Sequence, residues 1–394
     1  MANDVAAPQR PALRDERSAH FRADIQGLRA LAVVLVVAAH ASVPGLGGGY
    51  IGVDVFFVIS GYVITGVLMR QRGSTVRGNL ALFYSRRIRR IIPAATVVLV
   101  ATVIGAHVWL TRDTTIPLVT DVRWASLFAA NWHLIATGSS YFIPGVPPSL
   151  VTHYWSLSVE EQFYVVFPLI VFCVGAVAAR RRPLVLGGVL VGAVALSSWW
   201  SVHLTSANSV AAYYSPFTRF WELALGGLLV LAPAAWSRRT PRANALAGWA
   251  AVIVIVISAD RLSTSSAYPG ALAWWPCAAA AVLLWTGASS ASWGPVSALS
   301  WRPVTYVGDV SYGFYLWHYA WLQIPAQRTF LPVSAGARVG EVAGAFGCAV
   351  LSYHLMERPI RRSAWLDRRG WAVALLLVGC LGLTWGVTAL YAHG

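Results

Sequence analysis

The sequence predicts an all-α polytopic membrane protein of about eleven transmembrane helices, and three observations carry that prediction. Hydrophobic residues make up 57% of the 394 and charged residues only 11%. Apolar runs of about twenty residues, the length that crosses a bilayer as a helix, recur from end to end. The arginines fall in alternate loops between those runs, which is how helix orientation is written in membrane proteins.

In chain order, residues 1–22 are polar and rich in Pro and Arg, and predict a disordered cytoplasmic tail. The first span, 25–43, follows an arginine-rich lead and could be mistaken for a signal peptide. Cleavage would discard Arg29 and His40, so the span is read as retained. Spans at 50–70, 90–111, 154–178, 184–203, 216–236, 243–259, 270–288, 304–324, 337–356 and 371–391 follow. Loops 71–89, 179–183, 237–242 and 357–370 carry the arginines (for example Arg72, Arg77, Arg180–Arg182, Arg238, Arg239, Arg361 and Arg362). They are alternate loops, so they share one side, the cytoplasm. The N-terminus is then cytoplasmic and the C-terminus extracytoplasmic. Segment 112–153 is no clean span. It carries Arg112, Asp113, Asp121 and Arg123 before an aromatic, Pro-rich stretch, and reads as an extracytoplasmic cap, partly re-entrant. No internal repeat is found.

Composition excludes some chemistry. All 30 basic residues are Arg, so no Schiff-base lysine or phosphate-loop lysine exists. The net charge of +15 is explained by topology and needs no nucleic acid. Cys173, Cys277, Cys348 and Cys380 lie in apolar runs with neither disulfide nor metal-ligand spacing, and read as packing residues. His40, His153 and His318 lie on separate spans without His-x3-His spacing, so no metal is assigned.

The polar residues inside the spans are the candidates for function, because an ionisable group in a bilayer is costly. Ten uncharged residues separate Arg29 from His40, which places them roughly 16 Å apart along a helix, one near the inner face and one deeper. His40 ends span one and Asp54 starts span two across a short loop, at similar depth. They could touch, either as a general base with its orienting carboxylate or as a buried pair tying two helices. His153, Ser156 and Glu160 recur at i, i+3 and i+7 and share a helix face. Arg219 and Glu222 form an i, i+3 pair. His318 sits in the outer half of span nine. At the inner face, Arg86 with Arg89 and Arg87 with Arg90 form a doubled i, i+3 ladder suited to phosphate. Positive-inside anchoring is the alternative.

These pieces together resemble the acyltransferase-3 family of bacterial integral membrane acyltransferases. They are Arg29-x10-His40; Gly52-Val-Asp54-Val-Phe-Phe-Val-Ile-Ser60-Gly61; Arg86 to Pro93; His153-x-Trp155-Ser156 with Glu160 and Gln162; Arg219-x-x-Glu222; Ser311 to His318; and Glu357-Arg358-Pro359. The resemblance covers residues 21 to 362. It implies a membrane acyltransferase domain at 23–362 in the bacterial plasma membrane. The implied reaction moves an acyl group, usually acetyl, with succinyl open, from cytoplasmic acyl-CoA to a hydroxyl of an extracytoplasmic envelope glycan or related acceptor. It implies that His40 is essential and that the arginine motif meets CoA. On that reading His40 and Asp54 are catalytic, and Arg29, Arg86, Arg87, Arg89 and Arg90 bind acyl-CoA, most simply acetyl-CoA. His153, Ser156, Glu160, Arg219, Glu222 or His318 would bind the acceptor or steady the oxyanion. The pantetheine arm would thread between spans up to His40. The span at 371–394 is similar to the extra helix of members fused to an outer SGNH-type domain, which would be a partner here. A proton-coupled transporter or flippase for a sugar or lipid-linked intermediate is the rival reading. A membrane anchor for an outer enzyme is the second.

Overall fold

The computed structural model describes residues 22–71, 75–139, 147–233, 240–329 and 333–392. Residues 1–21, on which the tail was expected, lie outside the described residues, as do Arg72, Arg238 and Arg239. Among the described residues the chain is helical, with turns and loops between helices and no strand. The chain is an all-α multi-pass membrane protein. Eight described helices are long and apolar enough to cross a bilayer.

Helix α1 is Ala23–His40, and α2 is Gly52–Arg70 after a tight turn at Gly49–Ile51. Helix α3, Val76–Trp109, starts where the Thr75 side chain accepts a hydrogen bond from the Gly78 amide. Its 34 residues reach about 51 Å, well beyond the roughly 30 Å of a bilayer core. The expected span at 90–111 is therefore the C-terminal part of a longer helix. Arg86, Arg87 and Arg89, assigned above to a loop, stand on its N-terminal third, which makes the i, i+3 ladder a real helix face.

Helices α4 (Arg112–Ser126) and α5 (Ala130–Thr137) occupy the described first part of the segment 112–153, of which residues 140–146 lie outside the described residues. Then come α6 (Tyr154–Val177), α7 (Arg182–Ala207), α8 (Ser209–Tyr214), α9 (Phe220–Leu231), α10 (Pro241–Arg261) and α11 (Trp274–Thr286). At 12 and 13 residues, α9 and α11 reach only about 18–20 Å, less than the bilayer core. The spans expected at 216–236 and 270–288 are shorter because a tight turn at Pro216–Thr218 takes the first part of one, and turns up to Ala273 take the first part of the other. The series closes with α12 (Pro295–Leu299), α13 (Arg302–Thr329), α14 (Ala335–Ser352), two short helices α15 (Arg358–Arg362) and α16 (Ala364–Arg368), and α17 (Gly370–Ala392).

The bundle centre is α2 against α9 and α1 against α13. The first crossing is close enough to demand glycine. A Cβ on Gly61 would lie 1.8 Å from the Leu223 carbonyl oxygen, and one on Gly226 1.9 Å from that of Val58. Small residues at such crossings let backbones approach where lipid offers no hydrophobic drive. The last helix α17 packs on α3 and α4. Arg123 Nε donates to Thr388 Oγ1 at 3.1 Å, and Trp385 Nε1 to Ser126 Oγ at 3.2 Å. Large apolar side chains such as Leu184, Leu196, Ile253, Leu355 and Leu375 remain exposed on the bundle's outside, where lipid is their natural solvent.

Candidate active site

A cavity of about 570 Å³ opens at the end of the bundle where α1 begins, between α1, α2, α3, α6 and α13. Arg29, Arg86, Arg87, Arg89, Arg90 and Arg361 line it. Two of these are held by protein carboxylates. Arg87 Nη2 donates to Glu161 Oε1 at 2.7 Å, with its guanidinium 3.6 Å from the Tyr164 ring centroid. Arg89 is buried, paired with Asp367, and donates to the Ser363 carbonyl at 3.2 Å. Arg29, Arg86, Arg90 and Arg361 have no ion pair among the described residues; Arg29 donates to Gln26 Oε1 at 3.0 Å. Asp309 and Glu357 line the same cavity without an ion pair to these four, and clustered guanidinium groups that outnumber the unpaired carboxylates suit a polyanion. Glu160 also lines the cavity and accepts from Ser60 at 2.6 Å and from the Tyr164 hydroxyl.

The cavity ends at Ser156 and Tyr315. Their hydroxyls are 2.7 Å apart, and Tyr315 donates to the His153 carbonyl at 2.9 Å. Beyond this pair stand three imidazoles. His40 Nδ1 is 2.9 Å from His318 Nε2, the two rings stacked with centroids 5.1 Å apart. The His153 and His318 ring centroids are 5.6 Å apart, and Tyr319 packs against His40 and His153. The passage expected to run up to His40 is thus interrupted by the Ser156–Tyr315 pair, and His40 does not line the cavity.

The tautomers follow from the acceptors. His318 Nδ1 is 2.6 Å from the Tyr315 carbonyl oxygen, which can only accept, so this nitrogen carries the proton. In neutral His318 the Nε2 is then bare and accepts from His40 Nδ1–H. This puts the basic lone pair of His40 on Nε2. Likewise His153 Nε2 donates to the Leu316 carbonyl at 3.2 Å. Its Nδ1 is a buried acceptor without a hydrogen-bond partner among the described residues.

Asp54 is not the partner of His40, and the expected pairing is corrected here. Its Oδ1 accepts from Arg219 Nη1 at 2.7 Å. The helix phase explains why. A Cβ on Gly52 would strike the Ala32 carbonyl oxygen at 2.2 Å, so position 52 faces α1. Position 54 lies about 200° further round and faces away, toward α9. Arg219 Nη1 also donates to Glu222 Oε1 at 2.8 Å, as the i, i+3 spacing predicts. All three side chains are at most 1% exposed, and the Arg219 guanidinium is caged by the rings of Trp155, Tyr213 and Tyr268 at 5.2–5.4 Å. In the loop before α11, burial and then the Asp54 carboxylate push the Tyr268 hydroxyl well above its usual range. Asp54, Glu222 and Cys277 bring ligand-type atoms within 4.8 Å of one another, but Arg219 already supplies the cation between the carboxylates.

The thirteen residues singled out in the sequence therefore fall into three groups. Arg29, Arg86, Arg87, Arg89, Arg90, Ser156 and Glu160 share the cavity; His40, His153 and His318 form the imidazole cluster; Asp54, Arg219 and Glu222 form a separate buried network. Tyr315, Tyr164, Glu161 and Arg361 were missed. Tyr315 lies inside the Ser311–His318 motif, and its position one turn before His318 was the available signal.

Comparison with known proteins identifies the family. The family model described as an acyltransferase domain matches residues 22–355. The chain is 31% identical over 358 residues to the peptidoglycan O-acetyltransferase OatA of Listeria monocytogenes, covering 87% of this chain and 56% of that protein. It is 32% identical to a Bacillus subtilis protein, YrhL, whose name describes a peptidoglycan O-acetyltransferase, covering 86% of this chain and 54% of that one. It therefore spans little more than half the length of these two relatives. A Komagataeibacter xylinus protein, BcsY, whose name describes a membrane-bound transacylase, is 30% identical over 94% of this chain and 92% of its own. No solved structure matches significantly. With a family model matched over residues 22–355 and relatives at 30–32% identity over 86–94% of its length, the chain belongs to the acyltransferase-3 family of multi-pass bacterial membrane proteins.

Proposed function

We propose that the protein moves an acyl group, acetyl in the simplest case, from cytoplasmic acyl-CoA to a hydroxyl of an extracytoplasmic cell-envelope glycan. The observation that carries this reading is the arrangement along one axis: an arginine-lined cavity, a Ser156–Tyr315 pair at its end, and the His40–His318 pair directly beyond. The 3′-phosphate and diphosphate of CoA would meet Arg29, Arg86, Arg90 and Arg361, while Arg87 and Arg89 are held by their carboxylates and shape the wall.

In the step itself, His40 Nε2 removes the proton of the acceptor hydroxyl as its oxygen attacks the thioester carbonyl. The C–S bond then breaks, the ester forms, and the proton on His40 passes to the departing CoA sulfur. His318 keeps His40 in the tautomer that can do this. General-base help of this kind contributes about 10²–10⁴-fold. The thioester reaches His40 once the Ser156 and Tyr315 side chains move apart; these hydroxyls are then placed to donate to the carbonyl oxygen as negative charge develops. The Asp54–Arg219–Glu222 network holds α2 against α9 and takes no part in proton transfer.

The test is purified protein in detergent with acetyl-CoA labelled in the acetyl group. Transfer to a glycan, or slow hydrolysis, without any ion gradient is expected, and His40→Ala should remove it. Labelled CoA left intact by the wild type, with gradient-driven sugar movement in vesicles, would instead favour the carrier reading.

A further inference from the structure

Helix α13 orders the molecule along one line. Asp309, Tyr312 and Tyr315 line the inner cavity. His318 belongs to the imidazole cluster. Nine residues further, Gln327 lines a second hollow of about 570 Å³ between α4, α5 and the stretch Pro147–Leu150. That stretch leads in three residues to His153, and Gln327 Nε2 ties it to α13 by donating to the Pro148 carbonyl at 2.9 Å. The hollow is thus joined to the imidazole cluster by two short pieces of chain.

Its lining differs in kind from the inner cavity. Asp113, Asp121, His133, Ser139, Ser149 and Gln327 face it, and no arginine does among the described residues that line it. Asp121 Oδ1 is 2.9 Å from His133 Nε2. The His133 ring is stacked on Trp124, 5.5 Å between centroids and 10° from parallel. Ser149 Oγ is buried without a hydrogen-bond partner among the described residues. Pro117, Pro147 and Pro148 supply apolar faces between these polar groups. Carboxylates without arginine repel phosphates and other anions. Acceptors and donors set among apolar faces suit a neutral polyhydroxylated ring, whose hydroxyls pair both ways and whose C–H face is apolar.

We infer that this outer hollow is a saccharide-binding groove for the part of the acceptor glycan that flanks the unit being acylated. The inference rests on the function proposed above and names a site for its second substrate. Nine helical residues put Gln327 about 14 Å beyond His318 along the axis, too far for one sugar ring to lie in the groove and react at His40. The groove therefore holds neighbouring units of a chain, and its binding energy is available only to acceptors long enough to reach it.

The experiment compares chitotetraose with N-acetylglucosamine as acceptors for the full chain in detergent, in the wild type, Asp121→Asn and Gln327→Ala. Asp121→Asn keeps a hydrogen-bond acceptor for His133, so the α4–α5 contact survives. Each variant should raise KM for the tetrasaccharide about tenfold, the worth of one hydrogen bond to a charged or amide group. In Asp121→Asn, KM for the monosaccharide and the rate of acetyl-CoA hydrolysis should stay at wild-type values; Gln327→Ala also cuts the tie to Pro148, so it is read by the ratio of its two KM values, which should rise. An unchanged tetrasaccharide KM in both variants, or an equal shift for both acceptors, overturns the groove. Calorimetric titration of chitotetraose without donor separates this outcome from failure of the acyltransferase reading. Binding lost in Asp121→Asn while the wild type transfers nothing would sink the reaction and keep the groove; no binding to the wild type would sink the groove whatever the transfer assay shows.

Discussion

His40 Nδ1 and His318 Nε2 stand 2.9 Å apart, and His318 Nδ1 is anchored 2.6 Å from the carbonyl of Tyr315. A carboxylate is the commoner orienting partner for a basic histidine. Here the partner is a second neutral imidazole, itself fixed by a backbone oxygen. It sets the tautomer without adding a charge to the membrane interior, where a charge is costly.

If that relay orients the base, the two histidines differ in weight. His40→Ala should lower turnover of labelled acetyl-CoA by about 10²–10⁴-fold. His318→Ala should lower kcat by a smaller factor with little change in donor KM. His318→Gln should recover part of the loss, because an amide oxygen can accept from His40 Nδ1–H. Thermal melting in detergent should be similar for all three. A His318→Ala enzyme with wild-type kcat would remove His318 from the mechanism.

The cavity arginines should separate by their existing partners. Arg90 lines the cavity with no ion pair among the described residues, so on the proposed reading Arg90→Ala removes a contact to the donor without breaking an ion pair of the protein. A charged hydrogen bond is worth about 1.5–3 kcal/mol, or roughly 10–150-fold in CoA affinity, with kcat preserved. Arg87→Ala also strands Glu161, so it should cost stability as well. CoA affinity measured by calorimetry at two salt concentrations, alongside melting, checks both; equal CoA affinity in Arg90→Ala and wild type would return that arginine to a topological role.

Much of this was legible from spacing, and the rest failed for a definite reason. The apolar runs placed every long helix, and the Arg219–Glu222 contact followed from i, i+3 alone. Helix α9 came out short because a Pro216 turn looks as apolar as a helix. Pairings set by how two helices rotate against each other were not legible. His40 and Asp54 are near in sequence and similar in depth, yet Gly52, two residues before Asp54, takes the face toward α1. The true partner of His40 is 278 residues away, and Arg89 meets Asp367 at the same separation. No periodicity in either segment points to the other.

The network around Arg219 should prove structural. Removing one member of a buried, charged hydrogen-bonded set leaves the others uncompensated, at a cost of about 3–5 kcal/mol. Arg219→Met strands both Asp54 and Glu222 and should lower the melting temperature most. Asp54→Asn leaves the Arg219–Glu222 pair in place and should cost less. Where folded protein is recovered from Asp54→Asn, its acetyl-CoA turnover should stay within a few-fold of wild type. Turnover falling about as far as in His40→Ala, with unchanged melting, would show that Asp54 acts in the chemistry after all.

The α2–α9 crossing gives a prediction with an internal control. At Gly61 and Gly226 an added methyl would sit inside the van der Waals radius of a backbone carbonyl on the other helix, and backbone cannot swing aside as a flexible side chain can. Gly61→Ala or Gly226→Ala should cost about 1–3 kcal/mol or more through overpacking. The two should combine less than additively, since the first already separates the helices. Gly347, inside α14, has nothing within 4 Å of its would-be Cβ. There alanine meets only the helix preference, worth up to about 1 kcal/mol in its favour, and Gly347→Ala should melt at or slightly above wild type. Because Asp54 sits on α2 and Arg219 directly precedes α9, forcing these helices apart also pulls on their ion pair. The Gly226→Ala protein should therefore resemble Arg219→Met in its melting; a Gly226→Ala protein as stable as Gly347→Ala would mean that the helices do not cross as closely as described.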